Sequence, residues 1–431
     1  MKNLIPNLAN EGELLETLGI KSVEDLFSDV PKKFRKDLNI EPPKSEIEVT
    51  KELKALSEKN KKPDLSFLGG GLAEHYVPYT VDYLTSRSEF ITAYTPYQPE
   101  VSQGALQSIF EYQSYMAELY DMDVVNASLY DFATALGEAC LMCCRIKEGK
   151  KFLIPRAISE AKKAVLKNYA KSYAEIEEVN YDERGMMDIN DLKERVNKDT
   201  MGVYVESPNG FGVIEENVKD IRDIAPLLIY GADPLSLAVI KPPGEYGADI
   251  AIGGMHFSPS FGGPSLGVLA CRQELVRKMP GRVIGLTRDR ENNRAFCMTL
   301  QTREQHIRRE KATSNICTNE GLLTIASAIY FSLLGKNGIR KIANANIKNA
   351  MDLAKRVNEI FDVPFMGSTF FSEFLFKTGG IQKLRNKVFK KGIEFGPLLS
   401  DDSAMICTTE IHDKKDRDKL INALREEKEN V

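Results

Sequence analysis

From about residue 65 onward, apolar positions follow two alternating patterns. Short apolar runs, typical of buried strands, are followed by stretches with apolar residues at helical spacing. The predicted strands are Val124–Ala127, Lys151–Ile154, Ala174–Val179, Met201–Val205, Leu227–Tyr230, Ala248–Ile252 and Gly267–Ala270. The predicted helices are Leu106–Tyr120, Ala133–Cys144, Ser159–Tyr173, Ile189–Val196 and Val218–Ile224. This alternation predicts an α/β fold with a mainly parallel central sheet and helices on both faces.

The two ends of the chain have a different character. Residues 1–64 predict a helical arm and linker, because Leu and Ile recur at helical spacing and Pro31 ends the second run. Residues 65–320 form the predicted large α/β domain. Residues 321–431 predict a long linking helix followed by a small α+β domain, with strands at Glu373–Phe376 and Ser403–Cys407.

Composition narrows the class of protein. Hydrophobic residues make up 42% and charged residues 28%, and the net charge is −4 with the two signs interspersed. No nucleic-acid surface, membrane span or signal peptide is therefore predicted, and a cytoplasmic location is expected. Cys140, Cys143 and Cys144 lie on a predicted helix without a second Cys/His pair, which favours reduced, buried thiols over a metal site.

One segment has the spacing of a cofactor site. Asp233 closes an apolar run, and Met255 and His256 follow it 22 and 23 residues later. The arrangement resembles fold-type-I pyridoxal-phosphate enzymes, in which an Asp pairs with the pyridinium nitrogen. In those enzymes a Lys about two dozen residues on forms the Schiff base, because a primary amine condenses with the aldehyde. Met255 and His256 occupy that window, so the chain is predicted to carry a degenerate site.

Each of these residues also has a structural interpretation. Asp233 can instead cap the turn that runs to Ser236, and His256 can be a hydrogen-bonded structural histidine. Lys241 is the lysine nearest to Asp233, but it precedes a Pro-Pro-Gly turn and is interpreted as a solvated loop lysine.

The segment from Asn126 to Ala135 leads from a strand into a helix, a position where backbone N–H groups can bind phosphate. The alternative is that Ser128 or Asp131 caps the helix. The carboxylate of Asp131 argues against phosphate binding because it repels an anion.

A dense polar segment runs from Thr299 to Asn319, with several cations ahead of a Thr-Ser-Asn loop. Its charge, hydroxyls and amide suit an anion site. An intersubunit belt of ion pairs and a solvated helix are the other interpretations. In related pyridoxal enzymes a comparable loop contacts the cofactor phosphate of the neighbouring subunit, so this loop is the best candidate for a contribution in trans.

Several longer strings resemble the glycine cleavage system P-protein family. They are Thr92–Gly104 (TAYTPYQPEVSQG), Ala232–Ser236, Lys241–Asp249, Ser260–Pro264 and Arg303–Thr318. The resemblance covers essentially the whole chain. In its length, and in having no lysine at the expected position, the chain resembles subunit 1 (the α subunit) of the two-subunit form of this family.

The resemblance implies a function. Glycine is decarboxylated, and the aminomethyl group passes to the lipoyl arm of the H-protein. Subunit 2 holds pyridoxal phosphate covalently through its lysine, and the pair resembles an α2β2 assembly. This chain, with no catalytic residue or metal of its own, would complete the pocket in trans through Tyr94, Thr95, Tyr97, Gln98, Ser102, Gln103, Thr313, Ser314 and Asn315.

Two other functions fit the same residues. One is a self-sufficient fold-type-I lyase or desulfurase with a lysine elsewhere, which predicts that the chain alone binds the cofactor covalently. The other is a non-catalytic pseudoenzyme that only stabilises its partner.

Overall fold

The computed structural model describes residues 10–36, 41–257 and 264–428. The chain divides into two units, Met1–Lys62 and Pro63–Val431. The Phe261-Gly262-Gly263 turn, to which the family resemblance extends, lies outside the described residues.

Two helices form the first unit, α1 (Glu11–Leu18) and α2 (Glu46–Ser57). The first ends at Gly19, whose φ of 67° suits a residue without Cβ. The second begins with a capping box, in which the Ser45 backbone N–H donates to Glu48. Neither helix buries a residue. Both helices fall in segments where Leu and Ile have helical spacing, and the arm as a domain stays a prediction.

A seven-stranded sheet organises the second unit. Its strands are β2 (Val124–Val125), β3 (Lys151–Pro155), β4 (Glu175–Val179), β5 (Thr200–Glu206), β6 (Leu228–Ala232), β7 (Ile250–His256) and β8 (Ser265–Cys271). The order is β2-β8-β7-β6-β5-β3-β4. Only β8 runs antiparallel to its neighbours. The predicted mainly parallel sheet is confirmed.

Helices cover both faces of this sheet. They are α5 (Gln103–Tyr120), α6 (Phe132–Ile146), α7 (Glu160–Ala170), α8 (Ile189–Arg195) and α9 (Val218–Ile224). Two short helices, α3 (Tyr79–Thr85) and α4 (Ser88–Ile91), precede them in the chain. Successive side chains of a strand point to opposite faces of the sheet, so the core has two sides. On β5, Val203 and Val205 pack in one cluster with α5, and Tyr204 packs in another cluster with α6 and α7. Cys140 and Cys143 are buried in the second cluster, as predicted.

A hairpin that the sequence pattern did not predict follows the sheet. Strands β9 (Val283–Arg288) and β10 (Arg294–Thr299) pair antiparallel, and the short helix α10 (Gln305–Arg308) comes next. The hairpin lies beside α5, since Phe296 and Met298 share a core cluster with Leu106 and Ile109.

Helix α11 (Gly321–Asn358) is the predicted linking helix, with a kink at Gly335, where φ is 56°. Among the described residues it is the one helix long and apolar enough to cross a membrane by length and composition, although 44% of its most apolar window is buried inside the protein. Tyr330, Phe331 and Ile339 lie in the main core, which accounts for its apolar character.

The C-terminal part contains β11 (Glu373–Lys377), α12 (Ile381–Lys390), β12 (Ile393–Gly396), β13 (Ser403–Cys407) and α13 (Lys414–Lys428). Strands β11 and β13 pair antiparallel. Strand β1 (Leu65–Leu68) pairs parallel with β12, a long-range contact that the sequence did not indicate. This pairing brings the Gly69-Gly70-Gly71 segment to the edge of the cavity described below.

Candidate functional site

Asp233, Met255 and His256 line one cavity of about 380 Å³. The cavity lies where β6 and β7 end, because Ala232 of β6 pairs with Gly253 of β7 and brings the residues that follow each of them together. Side chains from α6, α7, α11 and β11 complete the walls. The structure therefore gathers the three residues of the predicted degenerate site, although they are far apart in sequence.

Among the described residues around this cavity, no amine is free to bind an aldehyde. Met255 is 7% exposed, and the Ser327 hydroxyl lies 3.7 Å from its sulfur. Lys162 lines the cavity, but its Nζ donates to Glu206 and lies 3.7 Å from the centre of the Phe132 ring. Lys241 is half-exposed, and its Nζ lies 4.6 Å from the ring centre of Tyr246. The residues present do not fit covalently held pyridoxal phosphate.

The start of α6 does not fit a phosphate either. The backbone N–H of Thr134 donates to Asp131 Oδ1 over 2.7 Å, and the backbone N–H of Asp131 donates to the Thr134 hydroxyl oxygen over 3.0 Å. This reciprocal cap uses the donors that an anion would need and places a carboxylate at the positive end of the helix. The capping interpretation of Asp131 is confirmed.

Asp233 has the turn-capping role that one of its two interpretations predicts, and its place opposite a cofactor nitrogen stays a prediction. Its Oδ1 accepts from the backbone N–H of Leu235 over 2.8 Å, which makes it a turn cap. The same carboxyl also faces the cavity beside Glu373, whose Oε2 accepts from the Gly70 N–H over 2.6 Å. Burial raises the pKa of both carboxyl groups, because the low-dielectric surroundings disfavour the charged form.

A buried ion pair closes one side of the cavity. His75 Nδ1 lies 2.8 Å from Glu410 Oε2, and both side chains are 13% exposed. Burial alone would lower the pKa of His75 and raise that of Glu410. The hydrogen bond and the opposite charge prevail, so the pKa of His75 is raised and the pKa of Glu410 is lowered.

This pair predicts a pH-dependent contribution to stability. The raised pKa of His75 contributes stability below its ordinary pKa of 6.5, which is lost as pH rises through the folded value. The lowered pKa of Glu410 contributes stability above 4.5, which is lost as pH falls through the folded value. Glu410→Gln is therefore expected to reduce the free energy of unfolding most near pH 5.5, by about 1–3 kcal/mol.

Urea unfolding of both proteins near pH 3.5, 5.5 and 8.5 measures this difference. Glu245→Gln is the matched control, because the Glu245 carboxylate is exposed and lies 3.8 Å from Lys241. A penalty for Glu410→Gln that stays constant across the three pH values would contradict the assigned ion pair.

A second group of candidates lies on the surface beside the β9–β10 hairpin. Tyr94 is 75% exposed and Tyr97 is 42% exposed, and the Tyr97 ring meets the ring of His306 edge-on at 5.1 Å. A smaller cavity of about 260 Å³ lies there, lined by residues that include Tyr97, Arg282, His306 and Cys317. The structure thus brings the segment at 94–97 next to the end of the segment at 313–319.

Arg282 joins these two segments. Its Nη1 donates to the Thr95 hydroxyl over 3.1 Å, and its Nη2 donates to the backbone oxygen of Thr318. The hydroxyls of Thr95 and Thr318 lie 2.8 Å apart. The side-chain amide of Asn319 donates to the Ser128 backbone oxygen over 2.7 Å. This bond connects the segment at 313–319 to the loop that follows β2.

The remaining surface candidates differ in where their side chains lie. Gln103 bonds the backbone of Phe296 in both directions, at 2.8 and 2.9 Å, and holds the hairpin in place. The hydroxyl of Ser314 donates to the buried Glu138 over 2.6 Å. Gln98 and Asn315 are exposed, and Ser102 and Thr313 are half-buried. Gln103 and Ser314 therefore hold local structure, while the exposed members remain free to meet another chain.

Sequence reasoning missed most of the polar residues around the cavity. Glu206, Glu373, Glu410, His75 and Lys162 come from five separate elements, and no motif or spacing connects them. Arg282 was missed for the same reason, since its role depends on contacts with residues before α5 and after α10. Among the described residues, no group of His, Cys, Asp and Glu has the arrangement of a metal site.

Comparison with known proteins gives a consistent family. The family model described as "Glycine cleavage system P-protein" matches residues 1–424. The "Probable glycine dehydrogenase (decarboxylating) subunit 1" of Pyrococcus abyssi is 47% identical, with 99% of each chain covered. The protein of the same name from Thermococcus onnurineus is 46% identical, again with 99% of each chain covered.

Solved structures agree with this result. A crystal structure of a glycine decarboxylase (P-protein) of the glycine cleavage system, in inhibitor-bound form, superposes with a TM-score of 0.86 at 37% identity, covering 96% of this chain and 97% of the other. A NifS-like protein superposes with a TM-score of 0.63 at 13% identity, covering 85% of this chain and 100% of the other, a likeness of fold alone.

Proposed function

The chain belongs to the glycine cleavage system P-protein family, and from this premise we propose that it is the subunit of glycine decarboxylase that depends on a cofactor-bearing partner. With that partner it takes part in the decarboxylation of glycine and the transfer of the aminomethyl group to a lipoyl carrier protein. Pyridoxal phosphate, when bound, supplies the electron sink for the carbanion that decarboxylation leaves. The assembled enzyme is an oxidoreductase of glycine catabolism.

The cavity at the end of β6 and β7 carries this proposal. It keeps the position of Asp233 but has Met255 where an amine is needed, and it has a carboxylate at the helix start where a phosphate would lie. The described residues of this cavity offer no free lysine for covalent attachment of the cofactor, and we therefore expect the lysine to come from a second subunit.

The surface at Tyr94 and Tyr97 supports a contribution to the partner's site. Exposed aromatic side chains continue along the chain before it, at Tyr76, Tyr79 and Tyr83. Aromatic residues are enriched in protein interfaces because they bury large area with few rotatable bonds. We expect this band to be covered by the partner, with Tyr97, Thr95 and Thr313 facing its cofactor.

The assembly is expected to be an α2β2 heterotetramer in the cytoplasm. The unburied apolar positions of α1 and α2 offer further surface for contact with the partner. The lipoyl H-protein is the expected acceptor of the aminomethyl group.

Cofactor retention tests the proposal directly. After incubation with pyridoxal phosphate and gel filtration, the chain alone is expected to show no visible cofactor band and no glycine–bicarbonate exchange. The pair formed with a lysine-bearing partner is expected to show both. A matched control is the same pair with the partner's lysine changed to alanine, which should assemble but lose both signals.

The opposite outcome supports the self-sufficient lyase. If the chain alone retains cofactor, and borohydride reduction followed by peptide mapping fixes it to one of this chain's lysines, the dependent-subunit proposal is wrong.

A further inference from the structure

The cavity at Asp233 has features that suit a ligand other than the phosphorylated cofactor. Its walls are largely aromatic and apolar, with Phe132, Phe257, Phe371 and Leu235 among them. Four of its lining side chains are carboxyls, those of Asp131, Glu206, Asp233 and Glu373, and Lys162 is the one lysine among the described lining residues. We propose that this cavity binds a small organic ammonium ion, a primary amine carried on an apolar or aromatic body. The proposal concerns this chain alone and does not rest on the function proposed above.

The charges inside the cavity are unevenly compensated. Lys162 is paired with Glu206, and His75 is paired with Glu410, so each of these two acids already has its cation. Asp233 and Glu373 each accept one backbone N–H, from Leu235 and Gly70 respectively, and neither forms an ion pair within the described residues. Two carboxyl groups lie against the same cavity without a cation, and burial disfavours their ionised forms. A positively charged ligand would favour ionisation and pair with the carboxylate, so the cavity suits such a ligand.

Tyr330 gives an independent indication. Its side chain lines the cavity, the residue is 2% exposed, and its hydroxyl has no hydrogen-bond partner among the described residues. The charges of Glu410 and Asp233 both act on this phenol and add to the rise in its pKa that burial causes, which places the hydroxyl on the acidic side of the cavity. Because buried polar groups in folded proteins are nearly always hydrogen-bonded, this hydroxyl indicates a missing partner.

The Nδ1 nitrogen of His256, which also lines the cavity, gives the same indication. This nitrogen is buried without a partner among the described residues, and burial lowers the pKa of the imidazole. A neutral imidazole nitrogen can accept a hydrogen bond from an ammonium group. The phenol oxygen of Tyr330 can accept one as well, so an amine would meet acceptors on several sides.

Size and shape narrow the ligand class further. A volume of about 380 Å³ is within the range of small-molecule pockets. The aromatic rings can pack against an apolar body and attract a cation at their faces. Asp131, which caps α6 at the mouth, disfavours ligands that carry phosphate.

Three ligands of nearly the same size and different charge test the proposal: benzylammonium, benzyl alcohol and benzoate. Calorimetric titration of the full chain is expected to show benzylammonium binding about tenfold or more tightly than benzyl alcohol, and no binding of benzoate. Equal affinity for the three, or no binding of benzylammonium, would overturn the proposal and leave a cavity that holds only solvent.

Variants locate the binding. Asp233→Asn is expected to weaken benzylammonium binding about tenfold and leave benzyl alcohol unaffected. Asp220→Asn, at an exposed position on α9, is the matched control and should change neither. If Asp233→Asn does not fold, Glu373→Gln replaces it, because the amide oxygen can still accept from Gly70. Unchanged benzylammonium binding in both cavity variants would place the ligand elsewhere and contradict the proposal.

The outcome is separable from the proposed enzyme function. The titration uses neither the partner nor pyridoxal phosphate, and glycine–bicarbonate exchange by the pair is measured independently. Failure to bind benzylammonium would leave the glycine decarboxylase assignment unchanged.

Discussion

Arg282→Ala is expected to reduce glycine–bicarbonate exchange by the assembled enzyme by about 100-fold without preventing assembly. Arg282 holds Thr95 and Thr318 together through one guanidinium group. Without it, the segments at 94–97 and 313–319 lose their common support, and a displacement of about 1 Å at a reacting centre is enough for a loss of that size. Steady-state exchange assays and gel filtration of the variant pair measure the two effects.

A conservative variant distinguishes the loss of the hydrogen bonds that position Thr95 and Thr318 from the loss of the positive charge of Arg282. Arg282→Lys keeps the charge but cannot donate in the planar, two-directional geometry of a guanidinium, so only partial recovery is expected. Arg288→Ala is the control, because its guanidinium lies on the same hairpin and donates to the exposed Asn292 backbone oxygen. Full activity in an assembled Arg282→Ala pair would contradict the positioning role of Arg282.

Gly212→Ala is expected to lower the free energy of unfolding by about 3 kcal/mol or more. Gly212 has a φ of 81°, and a Cβ at this position would overlap the backbone oxygen of Glu373. The chain makes a close contact with the C-terminal part here: the Phe371 N–H donates to the Gly212 oxygen, and Val213 pairs with Phe370. The overlap therefore has to push β11 and its cavity-lining carboxyl aside.

Gly71→Ala is the matched control for this stability effect. Gly71 has a φ of 96°, so both glycines occupy the left-handed region, but a Cβ at Gly71 would meet nothing within 4 Å. It should cost about 1 kcal/mol, the strain of the backbone conformation alone. Guanidinium unfolding midpoints give the comparison, and equal losses in the two variants would contradict the steric explanation.

Local patterns were sufficient for the regular elements of the large domain. The apolar run at Leu227–Tyr230 falls on β6, and the predicted helix at Val218–Ile224 coincides with α9. Each of these elements buries one face or both faces. The spacing of its apolar residues therefore predicts whether it is a helix or a strand and which face is buried. The β9–β10 hairpin was not recognised, because Arg288, Arg294 and the turn between them are charged and exposed.

The remaining features, the β1–β12 pairing and the polar contacts around the cavity, depend on residues that are far apart in the sequence. The pairing of β1 with β12 joins positions near both ends of the second unit, and nothing in Leu65–Leu68 itself specifies that partner. The cavity depends on the same kind of contact, because Gly70 meets Glu373 and His75 meets Glu410 across more than 300 residues of chain. A side chain's local pattern predicts that it is buried or exposed, but not which distant group it will meet.

The sequence by itself determined the family and the parallel sheet, and it predicted a degenerate cofactor site at Asp233, Met255 and His256, because these features depend on residue identity and on spacing along the chain. Only the tertiary structure decided that Asp131 caps its helix, that Lys162 is neutralised by Glu206, and that Arg282 ties two loops together. The reason is physical: charge compensation and hydrogen bonding act over a few ångströms in space, and folding sets those distances independently of separation along the chain.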